Sequence, residues 1–225
     1  MTMRWLIILT AVTLGAPGAV AETRYPAADR PWTQDDYVNF YFVHYNGHQA
    51  LPHLRDAAAK AVFTRLVDRA EIERIVAAPL TDGEKLRRVA LILSITGEAR
   101  GAYNYAVGVG EPLTEELTQV QVFALFLVDV SVRLATASPG GSPRNAAWKT
   151  TLFGVVQSLS ERDTYSYAQR RTLADAIAQH YPGIGMALDA AERREFRHSV
   201  EILLAAETDA DMRAAHVRLL RAADP

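Results

Sequence analysis

Hydrophobic positions in this chain recur mainly at the spacing of α-helices. Residues 113–136 form the most apolar stretch after the first 21 residues, and their apolar side chains fall on nearly all faces of a helix. A helix that is apolar all round is buried in the centre of a protein. The stretch is also longer than an ordinary β-strand, which spans about 3 to 10 residues. We therefore predict a central, buried helix over residues 113–136.

Further helices are predicted on both sides of this segment. Residues 33–36 read Thr-Gln-Asp-Asp, a hydroxyl cap followed by acids, and predict a helix to about Tyr45. Residues 81–84 read Thr-Asp-Gly-Glu, a capping box that opens a long helix to about Val107. The other predicted helices cover residues 53–68, 70–77, 144–159, 164–180, 184–206 and 208–223, with breaks at Pro182-Gly183 and at the cap-like Thr208-Asp209.

These elements predict an all-α fold, a single-domain multi-helix bundle of about seven to nine helices over residues 33–225. The clearest linker is the Pro/Gly-rich loop at 138–143, whose Ser142-Pro143 end predicts the start of the next helix. This loop could instead separate two domains. We favour a loop within one domain, because the roughly 80 residues after it are few for an independent core.

The first 21 residues have the features of a secretion signal. Arg4 precedes an apolar run that is shorter than the roughly 20 residues needed to span a bilayer. Gly15, Pro17 and Gly18 interrupt the run, and residues 19–21 form an Ala-x-Ala end. We predict a cleaved signal peptide over 1–21, followed by an extended lead over 22–32. An uncleaved membrane anchor is the alternative.

Composition narrows the location and the class of partner. The chain has no cysteine, which excludes a lipid-anchored bacterial lipoprotein and means that the fold is held without disulfides. Its 24 basic and 26 acidic residues are interspersed, and no basic tract suggests binding to nucleic acid. No segment after residue 21 reaches 18 apolar residues without a charge, so no stable membrane span is expected after signal cleavage. The scarcity of lysine and abundance of alanine are typical of a GC-rich bacterial genome. These features favour a periplasmic or secreted protein.

Residues 37–53 are unusually rich in tyrosine and histidine. They contain three of the nine tyrosines and three of the six histidines. His44 and His48 stand four residues apart, a spacing that can place two imidazoles on one helix face for a metal or haem. Gly47 lies between them, however, and Tyr45 replaces the glutamate of a zincin motif. The alternative is an aromatic helix face that packs into the core. The candidate ligand-binding residues here are Tyr41, His44, Tyr45 and His48, and the candidate metal ligands are His44, His48 and His53.

A second candidate site lies inside the long helix that follows residue 81. Gly97 and Gly101 stand four residues apart, and each costs up to ~1 kcal/mol relative to alanine within a helix. We expect another helix, or alternatively a ligand, to approach closely at these glycines. Arg100 and Asn104 share a helix face and, with Glu98, could line a polar pocket. Glu98 is then a candidate catalytic acid, although no second carboxylate or positioned water is identified.

Asp129 interrupts the most apolar helix. A carboxylate buried there must be paired or neutral. Arg133, one turn later, is the expected partner, and Arg100 from the preceding long helix is a second possible one. We favour a structural ion pair over a catalytic carboxylate.

No complete catalytic constellation is present. The chain lacks a G-x-S-x-G elbow, a P-loop, a dinucleotide-binding fingerprint, an EF-hand loop and a C-x-x-C-H haem site. The leading hypothesis is therefore an exported helical module that binds a protein partner or a small ligand. The alternatives are a cell-wall or other hydrolase that uses Glu98 or Asp129, and a histidine-based metal or haem protein. No cofactor is assigned.

Overall fold

A computed structural model describes residues 28–42, 51–138 and 145–223 of the chain, and the regular structure of these residues is entirely helical. The helices are α1 (Gln34–Phe40), α2 (Ala57–Leu66), α3 (Arg69–Ala77), α4 (Asp82–Gly108), α5 (Thr114–Ala137), α6 (Ala146–Ser158), α7 (Tyr167–Ile184), α8 (Ala190–Ala206) and α9 (Ala210–Ala222), with a 3₁₀ turn at Gly185–Ala187. The predicted all-α class is confirmed. The signal peptide at 1–21, residues 22–27 of the extended lead and residues 139–143 of the Pro/Gly-rich loop lie outside the described residues.

The predicted helix caps form as the sequence indicates. The Thr33 N–H donates to Asp36 Oδ2 at 2.7 Å, and the Asp36 N–H donates back to Thr33 Oγ1 at 3.4 Å. Thr81 and Glu84 make the same reciprocal pair at the start of α4, at 3.0 and 3.3 Å. Asp209 caps α9 by accepting the N–H groups of residues 211 and 212. Each cap satisfies backbone donors that the first turn of a helix leaves free, so these helix starts are set locally.

Helix α5 is the centre of the structure, as the apolar pattern predicts. It packs most extensively against α4 and α7, and α6 packs on it as well. Leu117, Val120, Leu125 and Leu127 are completely buried. Among the described helices, α5 alone is long and apolar enough to cross a membrane by length and composition, and 67% of its apolar window is buried inside the protein. Such burial is what the core helix of a globular fold shows.

Two hydrogen bonds attach the segment before α2 to this core. Glu116 on α5 accepts the N–H of Leu54 at 2.7 Å. Tyr103 on α4 donates its hydroxyl to the carbonyl of Pro52 at 2.6 Å. These bonds satisfy buried polar groups that would otherwise be costly, and they hold a non-helical segment against the α4–α5 pair.

The structure corrects the predicted helix boundaries at the end of α7 and at the starts of α8, α6 and α2. Pro182 lies inside α7 instead of ending it. The proline cannot donate a backbone hydrogen bond, but Tyr181 and Ile184 on either side of it are buried in the core, and this packing offsets the loss, so the chain breaks later, before Asp189. Asp189 then forms a capping box with Glu192, which fixes the start of α8. Helix α6 begins at Ala146 because Asn145 caps it, and α2 begins at Ala57 because Asp56 caps it.

Candidate functional site

A groove runs between α4 and α6. Both helices pack against α5, but they make few direct contacts with each other, so a gap of about 650 Å³ remains between them. We call this gap the α4/α6 groove. Its walls carry apolar side chains together with one acid and one base, and its lining residues include Leu86, Leu93, Gly97, Glu98, Arg100 and Trp148.

Gly97 and Gly101 lie within α4, and Gly97 lines this groove. A Cβ atom built on Gly97 or Gly101 would meet no atom of the described chain within 4 Å, so close helix packing does not explain either glycine. The expectation of a tight helix–helix approach was wrong. Instead both glycines line empty space, and a glycine that weakens a helix without improving its packing is typical of a place where another molecule approaches the backbone.

A smaller polar pocket adjoins the groove at Gly97 and Arg100, which line both spaces. We call it the Arg100 pocket, and its volume is about 250 Å³. Arg100 and Asn104 both lie on its wall, as their shared helix face predicts. The full lining is Gly97, Arg100, Gly101, Asn104, Gln121, Gly154, Gln157, Ser158 and Glu161.

Arg100 is the central cation of both spaces. It is half-buried, and its guanidinium Nη1 donates to the Thr151 carbonyl of α6 at 3.4 Å, a long hydrogen bond. The guanidinium also lies beside Gly154. No carboxylate of the described residues forms an ion pair with Arg100, and burial lowers the pKa of its guanidinium. A partly desolvated cation without a counter-charge creates a favourable position for an anion.

The floor of the Arg100 pocket is a buried polar network. Gln121 on α5 donates its Nε2 to Ser158 Oγ at 2.9 Å and to the Tyr165 hydroxyl at 3.1 Å. Its other amide atom, Oε1, is buried and has no hydrogen-bond partner. Because buried polar groups are nearly always paired, this oxygen is an acceptor in need of a donor.

Two acids lie near Arg100 without pairing with it. Glu98 is half-buried in the α4/α6 groove, and Glu161 is half-buried in the Arg100 pocket, just after the end of α6. The site therefore offers both signs of charge at separate positions.

Asp129 lines neither the α4/α6 groove nor the Arg100 pocket, and belongs to an ion-pair cluster with Arg133 and His180. Arg133 donates Nε to Oδ1 at 2.7 Å and Nη2 to Oδ2 at 2.9 Å. His180 on α7 places Nδ1 3.0 Å from Oδ2. Arg133 is the partner that the sequence predicts, whereas Arg100 does not reach Asp129. With both oxygens engaged and the carboxylate buried, this arrangement is that of a structural ion pair.

The tyrosine- and histidine-rich segment is only partly described. His44, Tyr45 and His48 lie outside the described residues. Tyr41 is the C-cap of α1 and packs edge-on against Phe42. His53 is half-buried, with Nε2 3.2 Å from Asp56 Oδ2. Within residues 28–42, 51–138 and 145–223, no three histidine, aspartate or glutamate side chains come together as a metal site.

The sequence predicts the α4 wall of the site but not the residues that other helices contribute to it. The mid-helix glycines with Arg100 and Asn104 indicate a pocket on α4. Gln121 and Glu161 carry no local signal, because only the packing of α5 and α6 brings them to α4. His180 is missed for the same reason, since it lies 51 residues from Asp129.

Comparison with known proteins finds no significant similarity to this chain. The chain matches no protein-family model, no curated protein and no solved structure at a significant level of similarity.

Proposed function

We propose that this chain is an exported helical binding protein that holds a small organic anion in the α4/α6 groove, with Arg100 as the cation that pairs with it. The observation that carries the proposal is the half-buried guanidinium of Arg100, which lines an open groove and has no carboxylate partner among the described residues. Arginine binds carboxylate and phosphate groups through bidentate hydrogen bonds in one plane, so it favours a ligand with an anionic group.

The rest of the groove suits the non-ionic part of such a ligand. Leu86, Leu93 and Trp148 supply apolar surface, and Gly97 leaves the backbone accessible. A mainly apolar cleft of a few hundred Å³ with a small number of polar groups is the usual form of a small-molecule site. We therefore expect a carboxylate with an apolar body, rather than a bare inorganic anion.

The test is calorimetric titration of the purified chain with a series of aliphatic and aromatic carboxylates, each compared with its neutral amide. The carboxylates are expected to bind and the amides to bind at least ~30-fold more weakly, as for loss of a partly buried charge pair. Arg100→Gln should remove this preference, and Arg100→Lys should restore part of it.

Arg87→Gln is the matched control, because Arg87 is an exposed arginine on the same helix and does not line the groove. It should bind like the unchanged chain. If no carboxylate binds better than its amide, or if folded Arg100→Gln protein binds as well as the Arg87→Gln control, the proposal fails.

The export part of the proposal has its own test. It is supported by the signal-like residues 1–21. When the full chain is expressed in a bacterium, we expect the periplasmic protein to begin at Glu22, as read by intact-mass spectrometry. A cytoplasmic product that retains Met1 would contradict export.

A further inference from the structure

We propose that the natural ligand is an amino-acid zwitterion, with its carboxylate on Arg100 and its ammonium group at Glu161. This inference rests on the proposed function, because it assumes that Arg100 pairs with an anion, and it adds a second recognition point.

Opposite charges lie apart from each other within the Arg100 pocket. Arg100 and Glu161 both line the Arg100 pocket, yet they form no ion pair with each other. Opposite charges in a pocket that is partly shielded from water attract each other strongly, so they form an ion pair unless the structure holds them apart. Arg100 is held against Thr151 and Gly154 of α6, whereas Glu161 follows the end of that helix. A ligand with both signs of charge would satisfy both groups at once.

Glu161 and Gln121 both line the Arg100 pocket and carry acceptor oxygens. Glu161 lies beyond the C-terminal end of α6, where the helix dipole favours a positive charge, and the last turn of α6 has no basic residue. Gln121 adds the buried Oε1 atom without a partner. An ammonium group has three donors and no acceptor, so a carboxylate and an amide oxygen are suitable partners for it.

The Arg100 pocket is continuous with the apolar α4/α6 groove. Gly97 and Arg100 line both spaces, so a ligand seated on Arg100 can extend towards Leu93 and Trp148. The expected ligand is thus an amino acid with an apolar side chain, such as leucine or phenylalanine. An amino acid without this apolar part would leave the groove empty and bind more weakly.

The test uses matched sets of three compounds. L-Leucine is compared with 4-methylpentanoate, which lacks the ammonium group, and with isopentylamine, which lacks the carboxylate. L-Phenylalanine, 3-phenylpropanoate and phenethylamine form the aromatic set. Binding to the full chain is measured by calorimetry at pH 7, where both ionic groups of the amino acids are charged.

We expect at least one amino acid to bind about 10-fold or more tightly than its carboxylate-only and amine-only counterparts, as for a charge-assisted hydrogen bond. Glu161→Gln should weaken the amino acid about 10-fold and leave the carboxylate-only compound unchanged. Glu73→Gln is the control, because Glu73 is an exposed acid on α3 away from the pocket. It should change neither affinity.

The outcomes separate the two proposals. If amino acids and carboxylate-only compounds bind equally, and both depend on Arg100, the anion site stands and the zwitterion inference is overturned. The inference is also overturned if amino acids bind better but Glu161→Gln has no effect. If neither class of compound binds, or if Arg100→Gln leaves the affinities unchanged, both proposals fail.

Discussion

The Asp129 carboxylate on α5 packs against Gly183 on α7, in the space that the Cβ atom of any other residue at position 183 would occupy. The same carboxylate accepts a hydrogen bond from Arg133 and contacts His180, one turn before Gly183. The missing side chain at Gly183 therefore lets α7 come close enough to complete the ion-pair cluster.

Gly183→Ala is expected to destabilise the fold by about 1–3 kcal/mol. The added methyl group overlaps Asp129, and overpacking of this kind outweighs the helix propensity that alanine gains over glycine. Urea unfolding followed by circular dichroism measures the change. An unchanged or increased free energy of unfolding would show that α5 and α7 are not in this close contact.

Gly101→Ala is expected to have the opposite effect on stability. Its methyl group would meet nothing within 4 Å, so the gain in helix propensity of about 0.5–1 kcal/mol should appear as higher stability. The same methyl group narrows the Arg100 pocket, so affinity for the ligand should fall. A variant that is less stable than the unchanged chain would contradict the open geometry at Gly101.

Asp129→Asn is expected to cost about 1–3 kcal/mol of stability. The Asp129 side chain is 5% exposed and accepts hydrogen bonds from Arg133 with both oxygens, so an asparagine there would turn its NH2 group towards a donor and leave it without an acceptor. Because Asp129 does not line the groove, the affinity of the folded variant for its ligand should not change. Exposed Asp163→Asn is the control and should have little effect on unfolding. Loss of ligand binding in folded Asp129→Asn protein would instead give Asp129 a functional role.

Stability is expected to decrease as the pH falls below 6.5, because of His216. Burial lowers the pKa of His216 below the 6.5 of an ordinary histidine, and neither ring nitrogen has a hydrogen-bond partner. Glu207 opposes this shift, while Arg170, Arg162 and Arg213 add to it. Below pH 6.5 the unfolded chain therefore takes up a proton before the folded chain does, which favours unfolding.

His216→Leu should flatten this pH dependence, since leucine keeps most of the buried volume and has no proton to bind. The measurement is the free energy of unfolding between pH 7.5 and 5, where most carboxylates stay charged. His198 is exposed, so His198→Leu is the matched control. An equally steep decrease in the His216→Leu variant would assign the effect to other groups.

The parts of the fold that could be predicted from sequence are those set by local chemistry. Thr33 and Thr81 start helices because their hydroxyl groups bond to the N–H three residues later, and that bond needs no tertiary contact. Helix α5 was predicted because its apolar residues cover nearly every face. Pro182 misled the prediction, because proline disfavours a helix locally, whereas the burial of Tyr181 and Ile184 is a tertiary effect that keeps α7 intact.

The candidate site could be predicted only in part, because its walls come from different helices. The spacing of Arg100 and Asn104 is a property of α4 alone, and it indicated a shared face. Whether Gly97 and Gly101 face a neighbouring helix or an open space depends on where α6 lies, and no residue of α4 contains that information. The partners across the pocket, Gln121 and Glu161, follow from tertiary packing.

The weak direct contact between α4 and α6 has a mechanical consequence. Both helices pack on α5, so the width of the gap between them is set indirectly, by how each helix packs on α5. A molecule that contacts both walls would fix this width. Occupancy should then be visible far from the bound atoms, as slower amide hydrogen exchange along the whole of α6.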